Sequence, residues 1–369
     1  MKDGILNINK PQGVTSHDVV RDIRRLLGIK KIGHTGTLDP MATGVLPICI
    51  GKATRITEYT DLDFKKYRCT LRLGIVTDTQ DIWGNILEEN STAGITQDAV
   101  REAFAGFSGR ISQKPPMYSA VRVDGRRLYD YARAGETVEV KEREVYIAGL
   151  EIEYMDFAHD SDVKKVTFTV ECSKGTYIRT ICEDVGRKLG CGAAMESLAR
   201  IASGAFKIED AIDLYELVDT YGSRRFEGEK YFVEPAPEEN LREIEKFVLP
   251  IDFPLTHFGQ AIMDEETARK FIDGWHISFR QCEITKRPEF EEGDSPLDIR
   301  PEYRGAYNMY RRTSRADAAP GEMAATSAAD AAPGEMTAAE GELQFVGVSF
   351  YSPKYKKLVA DKVFCRNDE

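Results

Sequence analysis

The sequence predicts an α/β protein in which a larger region of alternating strands and helices is followed by a smaller, β-rich one. Three observations predict it. Period-two stretches such as Tyr67, Cys69, Leu71 and Leu73 are interspersed with helix-period stretches such as Val19, Ile23, Leu26 and Leu27. Near 234–250 the chain becomes acidic and proline-punctuated, VEPAPEENLREIEKFVLP, as a connection would. Beyond it, strand-like LQFVGVSFYS and KKLVADKVF follow a stretch of different texture. The expected division is therefore 1–251 and 252–369.

The elements follow in order. GILNINK opens as a strand, Pro11 and Gly13 turn the chain, and a helix follows with Ser16 as N-cap, Asp18 in its first turn and Gly28 as C-cap. Arg21, Arg24, Arg25, Lys30 and Lys31 lie on and just after that helix. GHTGTLDP, at 33–40, is poor helix and poor strand and reads as a loop. It leads into an apolar stretch ending at Ile50 and a helix-like ATRITEYTDL. KYRCTLRLGIVTDTQDIWGNILEE reads as strand, turn, strand, and a helix falls near 96–107. Pro115 and Pro116 then break regular structure, VDG marks a turn, and RRLYDYARAG forms a short basic helix. Two strands fall within 143–172, before a turn and a helix in CSKGTYIRTICEDVGRKLGCG with Ile178, Ile181, Cys182, Val185 and Leu189 on one face. In the C-terminal region ADAAPGEM occurs twice, at 316–323 and 329–336. Such composition cannot bury a core, so a low-complexity insertion is placed near 282–342.

Composition narrows the function classes. At 369 residues and 42% hydrophobic content the chain can build two packed domains. Its longest apolar run, VLPICI, falls far short of the roughly 18 residues that a membrane span needs, and the N-terminus lacks the apolar core of a signal peptide. The expectation is a cytoplasmic protein without a membrane partner. Seven scattered cysteines with no C-x-x-C pair imply reduced, mostly buried thiols and no metal. Net charge is −11, yet residues 1–150 carry 22 Lys+Arg against 19 Asp+Glu, a net of +3. Arg110, Lys114, Arg122, Arg126, Arg127 and Arg133 crowd the segment 110–135. A local basic surface can bind a polyanion because only charges within a Debye length, about 8 Å, set the field, although charge alone equally describes a solvated face. GVLPICIGKAT is no P-loop, since Gly44 and Gly51 are separated by six residues and Ala53 stands where Ser or Thr is required.

Asp39 is the candidate that the loop presents. An Asp-Pro pair often only starts a turn. Here Pro40 bars Asp39 from helical dihedrals, while Gly33, Gly36 and Gly44 permit tight backbone geometry and close approach of a ligand. A carboxylate so held suits a nucleophile or base, provided a cation keeps it ionised. Arg179 begins a helix, where it opposes the helix dipole and so calls for a carboxylate partner. Spacing does not identify that partner.

Together GILNINKPQGVTS, GHTGTLDPMATGVLPICIGKATR, KYRCTLRLGIVTDTQDIWG, PPMYSAVRVDGRRLYDYARAG and CSKGTYIRTICEDVGRKLGCGA, in this order, resemble the bacterial tRNA pseudouridine synthases of the TruB family. The resemblance runs from about Gly4 to about Arg200 and more loosely beyond. It implies the pseudouridine synthase fold, α/β with a mixed, largely antiparallel sheet, and a small PUA-like RNA-binding domain at the C-terminus. It implies isomerisation of a T-loop uridine of tRNA, position 55 in tRNA numbering, to pseudouridine without cofactor or metal, by a monomer. Asp39 then matches the catalytic aspartate, Arg179 its arginine partner, Asp81 a second carboxylate on that arginine, and Tyr67 the tyrosine that stacks on the target base and serves as a late base. His34 matches a histidine contacting the RNA around the flipped nucleotide, and Tyr177 and Leu198 match residues lining the base pocket. Lys10, in the opening KPxGxTS motif, is grouped with the substrate-binding residues, a structural part being its alternative. The basic segment 110–135 corresponds to an RNA-gripping insertion. Two departures stand out: LAR at 198–200 where many relatives have LRR, and the length of 282–342. A non-catalytic tRNA-binding or folding protein on the same scaffold, and a guide-RNA-type synthase, are the alternatives.

Overall fold

The structure is a computed structural model, which describes residues 1–157, 163–228, 230–290, 299–313 and 342–366. The chain divides into two compact units, Met1–Pro254 and Leu255–Glu369.

The first unit is built on β1 (Gly4–Lys10), α1 (Ser16–Leu27), β2 (Ile32–His34), β3 (Thr43–Ile50), β4 (Lys65–Leu73), β5 (Gly109–Gln113), β6 (Arg143–Asp156), β7 (Lys165–Cys172), α2 (Ile178–Leu189), β8 (Ala193–Ser203) and β9 (Ile212–Asp213). The strands join one ten-stranded sheet in the order β9-β1-β3-β8-β4-β7-β6-β5, with β2 beside β3 and the short Phe206–Lys207 strand beside β8. Only the β9/β1 and β3/β8 pairs are parallel, so the sheet is mixed and largely antiparallel. The β3/β8 pairing is brief: Ala199 faces Thr43 and Arg200 faces Gly44, and no further register is shared.

Residue patterning explains these elements. In β4 the alternation of KYRCTLRL buries Tyr67, Cys69, Leu71 and Leu73. In β3 every residue from Gly44 to Ile50 is buried, as expected of a central strand covered on both faces. Helix α1 packs Val19, Val20, Ile23, Leu26 and Leu27 into the same core, and α2 packs Ile178, Ile181, Cys182 and Val185. All seven cysteines are free and five are buried. The ATRITEYTDL stretch forms two 3-10 turns, Gly51–Ile56 and Tyr59–Leu62, rather than a continuous helix.

Two expectations in this unit change. The N-cap of α1 is Thr15, whose hydroxyl accepts from the Asp18 amide while Asp18 returns a bond to the Thr15 amide. Ser16, one residue on, is buried and engaged elsewhere, as described below. The acidic stretch near 234–250 is no free connection: it holds the helix Glu238–Glu245, and Leu249 then exchanges two backbone bonds with Ile5 of β1. The break between units accordingly falls after Pro254.

The second unit is a five-stranded sheet of β10 (Gly259–Met263), β11 (Cys282–Lys286), β12 (Ala306–Arg312), β13 (Leu343–Ser352) and β14 (Lys357–Val363), in the order β11-β10-β12-β13-β14. The helix Glu265–Ile272 covers it, with Phe271 packed among Ala261, Met263, Met309, Val346 and Leu358. The expected insertion at 282–342 is therefore too wide, because Cys282–Lys286 and Ala306–Arg312 are sheet strands. Their charged and polar composition hides them: β12 buries Asn308 and Arg311 beside Tyr307 and Met309. Thr313 and Glu342 are tied by a 2.9 Å backbone bond, and the ADAAPGEM duplication between them lies outside the described residues.

Candidate active site

The loop between β2 and β3 carries Asp39. Its backbone is fastened from beneath. Ser16 Oγ donates to Leu38 O at 3.0 Å and accepts from the Leu38 amide at 2.8 Å, and Gly13 N donates to Pro40 O at 2.8 Å. Lys10, wholly buried at the end of β1, donates from Nζ to the carbonyls of Pro11, Val14 and Pro40 at 2.9, 2.7 and 3.3 Å. Its three donors are spent on the backbone, which makes Lys10 part of the scaffold of this loop. Desolvation is the main cause that lowers the Lys10 pKa to about 8, opposed by the charge of Asp39.

Asp39 meets Arg179 as the sequence required of some carboxylate. The pair closes at 3.0 Å, with the Asp39 side chain 42% exposed and the Arg179 side chain 6% exposed. Arg179 rises from the first turn of α2, where the chain is pinned by paired bonds between Gln113 and the Tyr177 backbone at 3.0 and 3.2 Å. Its guanidinium also donates to Thr79 O at 3.0 Å and Tyr118 O at 2.9 Å, and stands 3.7 Å from Asp81. Asp81 in turn accepts from Thr79 Oγ1 at 2.8 Å and the Trp83 amide at 3.0 Å. A fork whose donors are engaged by fixed acceptors on several sides cannot swing, so it holds the accessible carboxylate in one place.

Tyr67 comes up from β4. Burial raises its phenol pKa, while the charge of Arg200 acts in the opposite direction, and Asp39 is near enough to add to the rise. His34, on β2, is held neutral by burial, which with His17 and Arg200 lowers its pKa to about 4. The His17 and His34 rings meet edge-on at 5.7 Å, and His34 Nδ1 is buried without a hydrogen-bond partner. Leu198, on β8, is 8% exposed and lies across from Cys69. Asp39, Arg179 and Asp81 thus form one ion-paired cluster, while Tyr67 feels the charge of Asp39 and His34 that of Arg200. Tyr177 is placed by its position one residue before α2.

Residue-by-residue matching missed Arg200 and Ser16's grip on Leu38. Arg200 is 1% exposed, the largest wholly buried side chain, and donates to Val45 O at 2.7 Å and Gly36 O at 3.1 Å. The available signal was the LAR triplet itself, which retains the arginine at 200.

A small exposed acid clamped to a buried arginine, on a mixed sheet of this order, defines a class when set beside known structures. The fold is that of pseudouridine synthases: a Cbf5-Nop10-Gar1 complex matches with a TM-score of 0.62 at 23% identity, over 99% of this chain and 86% of that one. An archaeal box H/ACA sRNP Nop10-Cbf5 complex matches with a TM-score of 0.60 at 22% identity, over 99% and 87%. Sequence relationship narrows the class further. The family model for the N-terminal domain of TruB family pseudouridylate synthases matches residues 24–178, and that for the tRNA pseudouridylate synthase B C-terminal domain matches 179–256. The tRNA pseudouridine synthase B of Alkaliphilus oremlandii is 44% identical over 74% of this chain and 83% of its own, and that of Clostridium kluyveri 42% over 74% and 85%. The chain belongs to the TruB family of pseudouridylate synthases, and is an enzyme of that class.

Proposed function

We propose that this enzyme isomerises the T-loop uridine at position 55 of tRNA, with Asp39 as its catalytic residue. The observation that carries the reading is an accessible carboxylate held at 3.0 Å by a guanidinium that is itself buried. Reaching a glycosidic bond in a folded loop requires the nucleotide to leave its stack, at a cost of a few kcal/mol that a shaped pocket and aromatic stacking offset. Asp39 then acts on the extruded ribose, by attack at C1′ or by taking a proton from C2′. The freed uracil turns and rejoins the sugar through C5, and Tyr67 handles the proton that C5 loses. His34, Tyr177 and Leu198 border the nucleotide. The arginines between 110 and 135 hold phosphates, which sets register without reading base identity. The second unit serves as a PUA-like contact to the same RNA, in the cytoplasm where the substrate resides, and the enzyme acts as a monomer.

The test compares wild type with Asp39→Asn for tRNA binding and for tritium release from [5-³H]uridine tRNA. Binding is expected to persist in the variant while release stops. Turnover at the wild-type rate in the variant would remove Asp39 from the mechanism. A wild-type protein that binds tRNA and releases no tritium would be a binding or folding protein instead.

A further inference from the structure

Among the described residues Arg200 is a charge without an ion-pair partner. It sits on β8, which is parallel to β3 on one side and antiparallel to β4 on the other, opposite Gly44 on β3 and opposite Tyr67 on β4. Its side chain is enclosed, its Nε and one terminal nitrogen are given to the carbonyls of Val45 and Gly36, and among the described residues no carboxylate lies within ion-pair distance. Strand β3 passes close to its main chain. Gly44 has φ +101°, and a Cβ there would stand 2.2 Å from Arg200 O; a Cβ on Gly36 would meet an Arg200 terminal nitrogen at 3.5 Å. A buried guanidinium answered only by carbonyl dipoles is costly to keep. Across the strand pair it stands opposite Tyr67, near enough for its charge to pull the phenol pKa down against the rise that burial causes.

We propose that Arg200 is a positioning residue for Tyr67, fixing its phenol oxygen and serving as counter-charge when that oxygen becomes negative during the late proton transfer of the isomerisation. This rests on the function proposed above. A guanidinium only donates, so beside it the Tyr67 oxygen can serve only as acceptor and the phenol proton points elsewhere. Once uracil is joined through C5, that carbon still carries its hydrogen; completing the product removes one proton from C5 and places one on N1. A phenol that passes its proton toward N1 as it receives the one leaving C5 ends unchanged, with no bond to heavy atoms made or broken and no oxidant needed. While donation runs ahead of uptake the oxygen is a phenolate. A cation already fixed beside it costs no reorganisation at that moment. The same guanidinium grips the Asp39 loop at Gly36, so the early and late chemistry share one anchor.

The experiment uses the full chain with tRNA bearing either ordinary or 5-deuterated uridine, under single-turnover conditions. Arg200→Lys is expected to bind tRNA as wild type does, to slow pseudouridine formation by at least about a hundredfold, and to show a C5 deuterium isotope effect larger than that of wild type. Arg200→Gln, which keeps donors without the charge, is expected to be slower still. A slowed variant with no added isotope effect would mean that Arg200 only supports the Asp39 loop, and an unslowed one that it has no part in the reaction; either overturns the proposal. Loss of the fold in both variants would assign the residue to the scaffold and overturn it as well. Absence of pseudouridine formation by wild type would instead sink the function reading on which this one stands.

Discussion

Replacing Arg179 by Met separates what its charge does for the fold from what it does for the reaction. The substitution keeps an apolar stem but removes four contacts, to Asp39, Asp81, Thr79 O and Tyr118 O. Two carboxylates lose their cation, and they are not equal. Asp39 is 42% exposed at its side chain and is screened by water, so its loss contributes little to stability. Asp81 is 10% exposed at its side chain, and breaking a buried pair by removing one partner costs about 3–5 kcal/mol. Its remaining bonds to Thr79 and Trp83 favour the lower end, about 3 kcal/mol, hence a fall in Tm of about 6–12 °C for a unit of this size. The second substitution Asp81→Asn, added to Arg179→Met, removes the stranded charge and should recover most of that Tm. It should not recover activity, because Asp39 still lacks its clamp; both variants should turn over at least about a hundredfold slower than wild type, each factor of ten corresponding to about 1.4 kcal/mol of barrier. Thermal melts and single-turnover tritium release measure the two quantities. Recovery of rate in the double variant, or full activity in Arg179→Met, would refute the assignment of Arg179 to the reaction.

Two further outcomes follow from the geometry. His34 has a folded pKa of about 4 against an ordinary 6.5, so folding favours its neutral form; the stability this provides is complete above pH 6.5 and is lost as pH falls toward 4. The shift bounds the effect at about 3 kcal/mol, reduced by the ring's partial exposure to about 1–2 kcal/mol, and His34→Gln should lose less stability than wild type between pH 7 and 4.5 in urea titrations. Gly44→Ala places a Cβ 2.2 Å from Arg200 O at φ +101°, and should yield a protein destabilised by more than about 2 kcal/mol, in contrast to Gly149→Ala, whose φ is ordinary and whose Cβ would meet nothing within 4 Å. Equal melting temperatures for the two glycine variants would contradict the packing described.

Much of this site was legible because its residues break local rules. An aspartate before proline among glycines, and an arginine in the first turn of a helix, are each poor choices for local structure alone, and the fold pairs them. The sheet strands of the first unit were equally plain where one face is buried, as in β4. What stayed hidden obeys no such pattern. Arg200 sits in LARIAS on the same face as the buried Leu198, where a charge is the least expected residue, and only the carbonyls of Val45 and Gly36, far off in sequence, give it partners there. Thr15 and Ser16 are adjacent and equally able to cap, and the choice between them is made by the distant Leu38 backbone, which claims Ser16. β11 and β12 were submerged in a charged, proline-bearing stretch because an edge strand and a strand burying Asn308 and Arg311 do not look apolar.

The two-residue meeting of β3 with β8 divides the first unit's sheet into two plates joined at a narrow seam. The loop bearing the acid belongs to one plate, while the tyrosine strand belongs to the other and the arginine's helix follows a strand of that second plate. The Asp39–Arg179 pairing is therefore a property of the join, so a slight flexing of one plate against the other would open or close that distance without any side chain changing its rotamer.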